Sequence, residues 1–304
     1  MPLSKQLKAD AVLLLVTLSW GVSYLLVDYC MSVMGPLTVN ALRFLIAALG
    51  IAAFSLPRLR GMTRETRRYA LGVGALLAMA YVCVSEGLLY TSMSNAAFLC
   101  ALPVVLTPVA GLVIYRSRPT RRLLLVLALA FSGVCLMTLT ESLRLRAGDL
   151  LSFGCAAFYT GDLLLTERAV KRPRVDPFQL GVVHLLVAGV INLVFALLFE
   201  RPLALPQSPS MWGALLFLAV FCTGIAFVAQ PIAQQYTTSA HVGVIFALEP
   251  VFAGIAAFFI AGERLTARGY AGALLLLGAM AVMELPMPRR KEKPDNGHSD
   301  LRKE

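Results

Sequence analysis

The sequence predicts an all-α integral membrane protein whose ten transmembrane helices form two inverted five-helix repeats. Three observations predict this architecture. The 304 residues are 58% hydrophobic and only 14% charged, with a mean hydropathy of +0.76, which is far from the composition of soluble domains. Ten apolar stretches have about the length that a helix needs to cross the hydrocarbon layer. Basic residues concentrate in alternate loops, and residue pairs recur at a nearly constant offset.

The ten apolar stretches follow one another with short connections. Each is predicted to be a helix, because only intra-helical hydrogen bonds satisfy the backbone of a single segment in lipid. Residues 1–147 form the first predicted repeat and residues 148–287 the second, while the basic tail at 288–304 is predicted to be disordered. The predicted spans 1–10 cover residues 10–31, 36–56, 69–90, 94–115, 121–140, 148–167, 177–199, 210–234, 240–261 and 268–286.

The basic residues predict the orientation of the chain. Of the 27 Lys and Arg residues, 21 lie in the N-terminus, the tail and the loops after spans 2, 4, 6 and 8. Five lie in the other loops, and Arg43 lies within span 2. The positive-inside rule therefore predicts cytoplasmic N- and C-termini in a cell (plasma or inner) membrane. The net charge of +10 follows from this topology, so the expected partner is the lipid bilayer and not nucleic acid.

Matched residues predict that the two halves are related. A half of five spans must enter the membrane in the opposite sense to its relative, which is the arrangement of inverted-repeat transporters. Pro36 matches Pro177 at an offset of 141, and this places Arg43 opposite His184. At an offset of 146, the matches join Ala101-Leu102 to Ala247-Leu248, Thr120 to Thr266, and Arg122 to Arg268.

Several motifs carry a resemblance to a known family. They are Trp20-Gly21 in span 1, PLTVNALRF from Pro36, YTSMSNAAFLCALPVVLTPV from Tyr90, and ALEPVFAGIAAFFIAGERLT from Ala247. The sequence resembles the EamA-like family of the drug/metabolite transporter superfamily over about residues 11–285. The resemblance implies ten helices, a central cavity, and the export or import of metabolites such as amino acids. The first half departs from the pattern of the second, with Pro103 opposite Glu249 and Ser117 opposite Glu263, so symmetric carboxylates are not implied.

Glu249 is the deepest carboxylate of the chain, near the middle of span 9. Ionisable groups in the bilayer cost roughly 2.5–3.5 kcal/mol on insertion scales, so each one needs a partner or a cavity. Pro250 is predicted to break the helix beside Glu249, and Pro103 and Pro108 are the corresponding predicted breaks in span 4. Glu249 is thus a candidate proton-coupling group; a protonated carboxyl bonded to a neighbouring helix is an equal alternative.

Aromatic and amide side chains are candidates for the lining of a substrate cavity, although packing is the alternative role for each. Trp20 is the best candidate, because it lies mid-span and not in the interfacial belt, and Tyr24 shares its face one turn later. The full set is Trp20, Tyr24, Tyr81, Phe158, Tyr159, Gln230 and Gln234.

The remaining charged residues within the spans are candidate gating charges. We expect Arg43 to pair with Asp28 or Glu86 at the outer side, and His184 to pair with Asp162 at the inner side. Each pair would separate as its side opens. The alternative is a static contact between helices, or a side chain that reaches the interface.

The sequence predicts no cofactor, metal site or enzymatic activity, because it contains no recognisable nucleotide, zinc-protease or hydrolase motif and no CxxC spacing. The predicted function is a secondary transporter that exports small organic metabolites, such as amino acids, related compounds or drugs, by alternating access. Protons are the candidate coupling ion. The alternatives are an uncoupled facilitator or channel and, with less support, a membrane-embedded enzyme or receptor.

Overall fold

The protein is all-α, as predicted. The computed structural model describes residues 3–91, 93–114, 119–139, 147–262 and 264–285, and the predicted disordered tail at 288–304 lies outside them. The helices follow the predicted order, and spans 4 and 9 each consist of two helices. They are Leu3–Met31 (span 1), Pro36–Leu59 (2), Arg64–Gly87 (3), Met93–Cys100 (4a), Pro103–Ile114 (4b), Arg121–Thr138 (5), Ala147–Val170 (6), Pro177–Phe199 (7), Pro209–Gln234 (8), Ser239–Phe246 (9a), Glu249–Ala261 (9b) and Ala267–Glu284 (10).

Nine of the spans are, within the described residues, long and apolar enough to cross a membrane. The remaining span, span 6, is less apolar, because Asp149, Asp162 and Glu167 lie along it. These three carboxylates are buried, and span 6 packs against spans 3 and 4. A helix with buried polar groups still fits inside a helix bundle, so the chain is a multi-pass membrane protein.

Side-chain caps define where most helices begin. A Thr, Ser or Asp side chain accepts a hydrogen bond from a backbone N–H of the first turn in spans 3, 5, 7, 8, 9a and 10, which satisfies donors that the helix itself leaves free. Span 2 begins after Gly35 and has no cap of its own. Glu200, at the end of span 7, supplies it by accepting from Leu37 N at 2.7 Å and from Thr38 N at 2.8 Å.

Spans 2 and 7 lie antiparallel. Glu200 joins the end of span 7 to the start of span 2, and at the other end Gln179 Nε2 donates to the Arg58 carbonyl oxygen at 2.7 Å. Spans 5 and 10 are also antiparallel: Arg122 Nε donates to the Val282 oxygen at 2.8 Å, and Arg268 donates to the Cys135 oxygen at 3.4 Å. Each half of the chain therefore packs against the other half.

The two ends of the described chain lie on one side of the bundle. Asp10, near the start of span 1, and Glu284, at the end of span 10, both contact His241 at the start of span 9a. We call this the termini side and the opposite side the far side. The main apolar core lies between the two sides, where spans 1, 2, 7 and 8 meet around Phe44 and Phe227.

Candidate functional site

Two helix interruptions bring polar backbone into the interior. Span 4 is interrupted at Ala101-Leu102, immediately before Pro103, and span 9 at Ala247-Leu248, immediately before Glu249 and Pro250. Span 4b continues through Pro108 without a further break. The two interruptions occupy positions that the sequence matches at an offset of 146. The backbone N–H groups at both interruptions bond within the turn: Leu102 N donates to the Leu99 oxygen and Leu248 N to the Ile245 oxygen.

Glu249 is the first residue of span 9b and is half-buried. The Tyr24 hydroxyl from span 1 lies beside its carboxyl group, and Tyr24 is 55% exposed. Tyr24 contacts an interior carboxyl group and is itself exposed on the bundle, so the two side chains are the candidate lining of a substrate cavity.

Aromatic rings pack around Phe246, just before the interruption that precedes Glu249. Trp20 packs on Phe246, the last residue of span 9a, with ring centroids 4.7 Å apart, and on Phe227 at 5.2 Å. Phe44 and Tyr81 complete this group: their rings lie 4.9 Å apart in an edge-to-face arrangement, and Phe227 lies 5.8 Å from Phe44. We call these five residues the aromatic cluster. Such pairs hold rings in a defined geometry, so the cluster supports the interrupted helix.

A π-helical segment in span 8, Leu218–Ile225, anchors two predicted site residues. Trp20 Nε1 donates to the Cys222 carbonyl oxygen at 2.8 Å, and Arg43 Nε donates to Thr223 Oγ1 at 2.7 Å. Wider helical turns of this kind are common at functional sites. Our sequence reasoning missed this segment. Thr223, a hydroxyl in a long apolar run and next to Gly224, was the available signal.

Arg43 does not reach the carboxylates that were predicted as its partners. Its side chain is 4% exposed and turns toward span 8, and its guanidinium carbon lies 5.7 Å from the ring centres of Phe44 and Tyr81. Of the salt bridges among the described residues, none involves Arg43. Asp28 is exposed and Glu86 is half-buried, so in this conformation the outer ion pair is not formed.

The predicted inner residues are buried but do not form an ion pair. Asp162 and His184 are 0% and 1% exposed, and no salt bridge joins them. Asp162 faces the Gln230 amide, and His184 packs edge-on against Phe227 at 5.7 Å. Neither the Asp162 oxygens nor the His184 ring nitrogens have a hydrogen-bond partner among the described residues. Burying such polar groups is unfavourable unless a proton, water or ligand satisfies them. We call Asp162, His184 and Gln230 the inner polar cluster.

The other predicted lining residues differ in their surroundings. Tyr159 is half-buried and its hydroxyl lacks a hydrogen-bond partner among the described residues, and it lies near Tyr81 and Asp162. Phe158 is half-buried. Gln234 Nε2 donates to the Leu163 carbonyl oxygen at 2.9 Å. Gln234 therefore joins spans 6 and 8 and does not line the cavity.

A contact that the sequence did not predict joins spans 6 and 9a on the termini side. Glu167 of span 6 accepts hydrogen bonds from Ser239 N, at 2.8 Å, and from Ser239 Oγ at the start of span 9a. Ser239 Oγ also lies 3.1 Å from the Leu163 carbonyl oxygen, and Lys171 pairs with Glu167. We call this group the termini-side latch. It joins spans 6 and 9a, both in the second half of the chain, on the termini side.

An apolar ten-span bundle with two interrupted helices and a polar interior defines this chain as a membrane transport protein. The chain belongs to the EamA-like transporter family, whose sequence model matches residues 7–139 and again residues 146–285. The predicted family resemblance is therefore confirmed.

Curated relatives carry the same general description. An uncharacterized transporter of Archaeoglobus fulgidus is 29% identical over 281 residues, which cover 92% of this chain and 87% of the relative. The uncharacterized transporter YyaM of Bacillus subtilis is 26% identical, with 95% and 99% covered. A protein of known crystal structure superposes with a TM-score of 0.78 at 17% identity, with 91% of this chain and 96% of that chain covered. This last likeness shows the shared fold alone.

Proposed function

We propose that this protein is a secondary transporter that exports small amine-bearing metabolites, such as amino acids or related compounds, by alternating access. The observation that carries the proposal is the accessible pair of Glu249 and Tyr24 beside the break in span 9. A carboxylate attracts an ammonium group, and a tyrosine ring face adds a cation–π contribution. Pro250 has no N–H for the Phe246 carbonyl oxygen, and this oxygen offers a hydrogen bond to the rest of the solute.

We propose further that Glu249 couples transport to protons. A half-buried carboxyl group without a salt-bridge partner among the described residues can bind either a proton or a substrate ammonium group, but not both at once. Exchange of the two on one carboxyl group links export of solute to entry of protons. The tightly held Arg43 is not free to neutralise Glu249 by direct contact, because Thr223 and the Cys222 carbonyl oxygen bind its guanidinium group.

Alternating access is supported by the difference between the two sides. On the termini side, the latch joins spans 6 and 9a, and the inner polar cluster is buried. On the far side, Tyr24 is exposed. If the basic loops lie in the cytoplasm, as the positive-inside rule predicts, this conformation opens to the outside. The matched interruptions and the antiparallel pairs 2/7 and 5/10 support the proposal that the halves are inverted repeats, with the division at 147/148.

The experiment uses the purified protein in liposomes. Amino acids, amines, sugars and drugs are each tested for transport with and without a pH gradient. We expect amine-bearing solutes to move and the gradient to accelerate them. Glu249→Gln should lose the acceleration, whereas Glu65→Gln, a carboxyl group in the first turn of span 3 and away from the cavity, should keep it.

Three results would contradict the proposal. If no solute moves with or without the gradient, the protein is not a transporter of these solutes. If Glu249→Gln retains the full response to the gradient, Glu249 does not couple protons. If the flux is independent of the gradient in the unmodified protein as well, the protein is an uncoupled facilitator.

A further inference from the structure

Three side chains that can ligate a metal ion meet on the termini side. They are Asp10 of span 1, His241 of span 9a and Glu284 of span 10. His241 Nε2 lies 2.8 Å from Glu284 Oε1 and 3.4 Å from Asp10 Oδ1. The three donor atoms all lie within 4.8 Å of one another. Two carboxylates and one imidazole from three different helices therefore converge on one point.

This buried group carries a net negative charge that a proton or a cation must compensate. Asp10 is 3% exposed and His241 is 6% exposed, and neither Asp10 oxygen accepts a hydrogen bond from the described residues. Among the described residues, no Lys or Arg forms a salt bridge with Asp10 or Glu284. A protonated His241 neutralises only one of the two carboxylates. A buried charge left without compensation is strongly unfavourable.

We propose that Asp10, His241 and Glu284 form a binding site for a divalent transition-metal ion of the zinc or manganese type. Two carboxylates, a neutral imidazole and a dication add to zero charge, so the ion removes the imbalance. Zinc binds His nitrogen and carboxylate oxygen at about 2.0–2.2 Å, and a tetrahedral arrangement then separates the donor atoms by about 3.3 Å. The 2.8 Å and 3.4 Å separations are close to this value.

The position of the site gives the ion a structural role. It links the start of span 1, the start of span 9a and the end of span 10, and span 9a leads directly to the interruption at Glu249. The Glu284 side chain is 36% exposed, which leaves a route for the ion and room for water as a further ligand. The site lies apart from the substrate cavity, so this inference does not depend on the proposed solute or on proton coupling.

The test is a Co²⁺ titration of the full-length protein, purified in detergent and stripped of metal with a chelator. Co²⁺ reports N/O coordination through visible absorption, and Zn²⁺ is then added to displace it. We expect one ion per chain, with Asp10→Asn and His241→Asn each weakening binding by about 100-fold or more, since even outer-shell changes cost 10–100-fold. His298→Asn, in the tail outside the described residues, and Asp28→Asn should bind as the unmodified protein does.

A second measurement keeps the test valid if the buried variants do not fold. Glu284 is partly exposed, so Glu284→Gln is expected to fold. Bound Zn²⁺ should raise the Tm of the unmodified protein, because a ligand that binds only the folded state stabilises it, and this rise should be lost in Glu284→Gln. The proposal is overturned if no ion binds at millimolar concentration, if His298→Asn alone removes binding, or if Zn²⁺ raises the Tm of Glu284→Gln equally.

Discussion

Gly21→Ala tests how spans 1 and 9b are held together beside the cavity. A Cβ atom on Gly21 would lie 2.6 Å from Phe252 Cβ and 2.7 Å from the Ala253 backbone nitrogen. Carbon atoms in favourable contact are about 3.5–4.0 Å apart, so the methyl group overlaps its neighbours by roughly 1 Å. One of these neighbours is backbone, which cannot rotate away. Span 9b must therefore move.

The expected loss of stability follows from this overlap. Overpacking a tight interior site costs about 1–3 kcal/mol. Gly50→Ala is the matched control, because Gly50 is also inside a helix and nothing lies within 4 Å of its added Cβ. There the change should be neutral or stabilising by about 0.5–1 kcal/mol, since Ala favours the helix.

The assay is thermal unfolding of both variants in the same detergent, followed by transport in liposomes. At roughly 2–4 °C for each kcal/mol, Gly21→Ala should lower the Tm by several degrees, whereas Gly50→Ala should not lower it. Transport by Gly21→Ala should also fall, because Gly21 neighbours Trp20 of the aromatic cluster. Equal Tm values for Gly21→Ala and the unmodified protein would refute the close approach of these helices.

Three further substitutions test individual contacts. Glu200→Gln removes the charge that caps span 2 through Leu37 N and Thr38 N; we expect a loss of about 1–2 kcal/mol, measured by thermal unfolding, and an unchanged Tm would contradict the cap. Thr223→Val removes the acceptor of Arg43 Nε and should cost about 1.5–3 kcal/mol. Thr223→Ser keeps the hydroxyl and should restore most of the Tm; equal losses in the two variants would argue against this bond. Arg122→Gln removes the donor to the last carbonyls of span 10, so hydrogen exchange should rise in that turn and stay constant in span 3. A rise in both spans would indicate general destabilisation instead.

The positions of the spans were predictable because lipid imposes a simple local rule. Only helices satisfy the backbone in a bilayer, so apolar length alone locates them. Span 1 is the largest departure: its helix begins at Leu3 and not at residue 10, because a helix can continue beyond the membrane where polarity no longer marks its end. The π-helical segment of span 8 was missed, because its apolar composition is also that of an ordinary helix and only Thr223 beside Gly224 marked it.

The candidate site was only partly predictable. Glu249 stood out because a carboxylate in an apolar run is rare and costly, whereas its contact with Tyr24 followed only from the packing of spans 1 and 9b. The hydrogen-bond partner of Arg43 could not be predicted from the sequence in this way. Electrostatic reasoning favoured the carboxylates Asp28 and Glu86, whereas the folded protein uses Thr223 and a backbone carbonyl oxygen. A guanidinium group has five donors, so neutral acceptors near it can satisfy it as well as a distant charge.

The sequence by itself determined the all-α class, the number and order of the spans, the family resemblance and the depth of Glu249. These are properties of local composition, because the apolar length of each segment determines by itself whether that segment spans the bilayer. Only the tertiary structure decided which side chains meet. Asp10, His241 and Glu284 are far apart in the chain, and so are Glu167 and Ser239. Their contacts depend on how each helix is rotated and packed, and that is a property of the whole bundle.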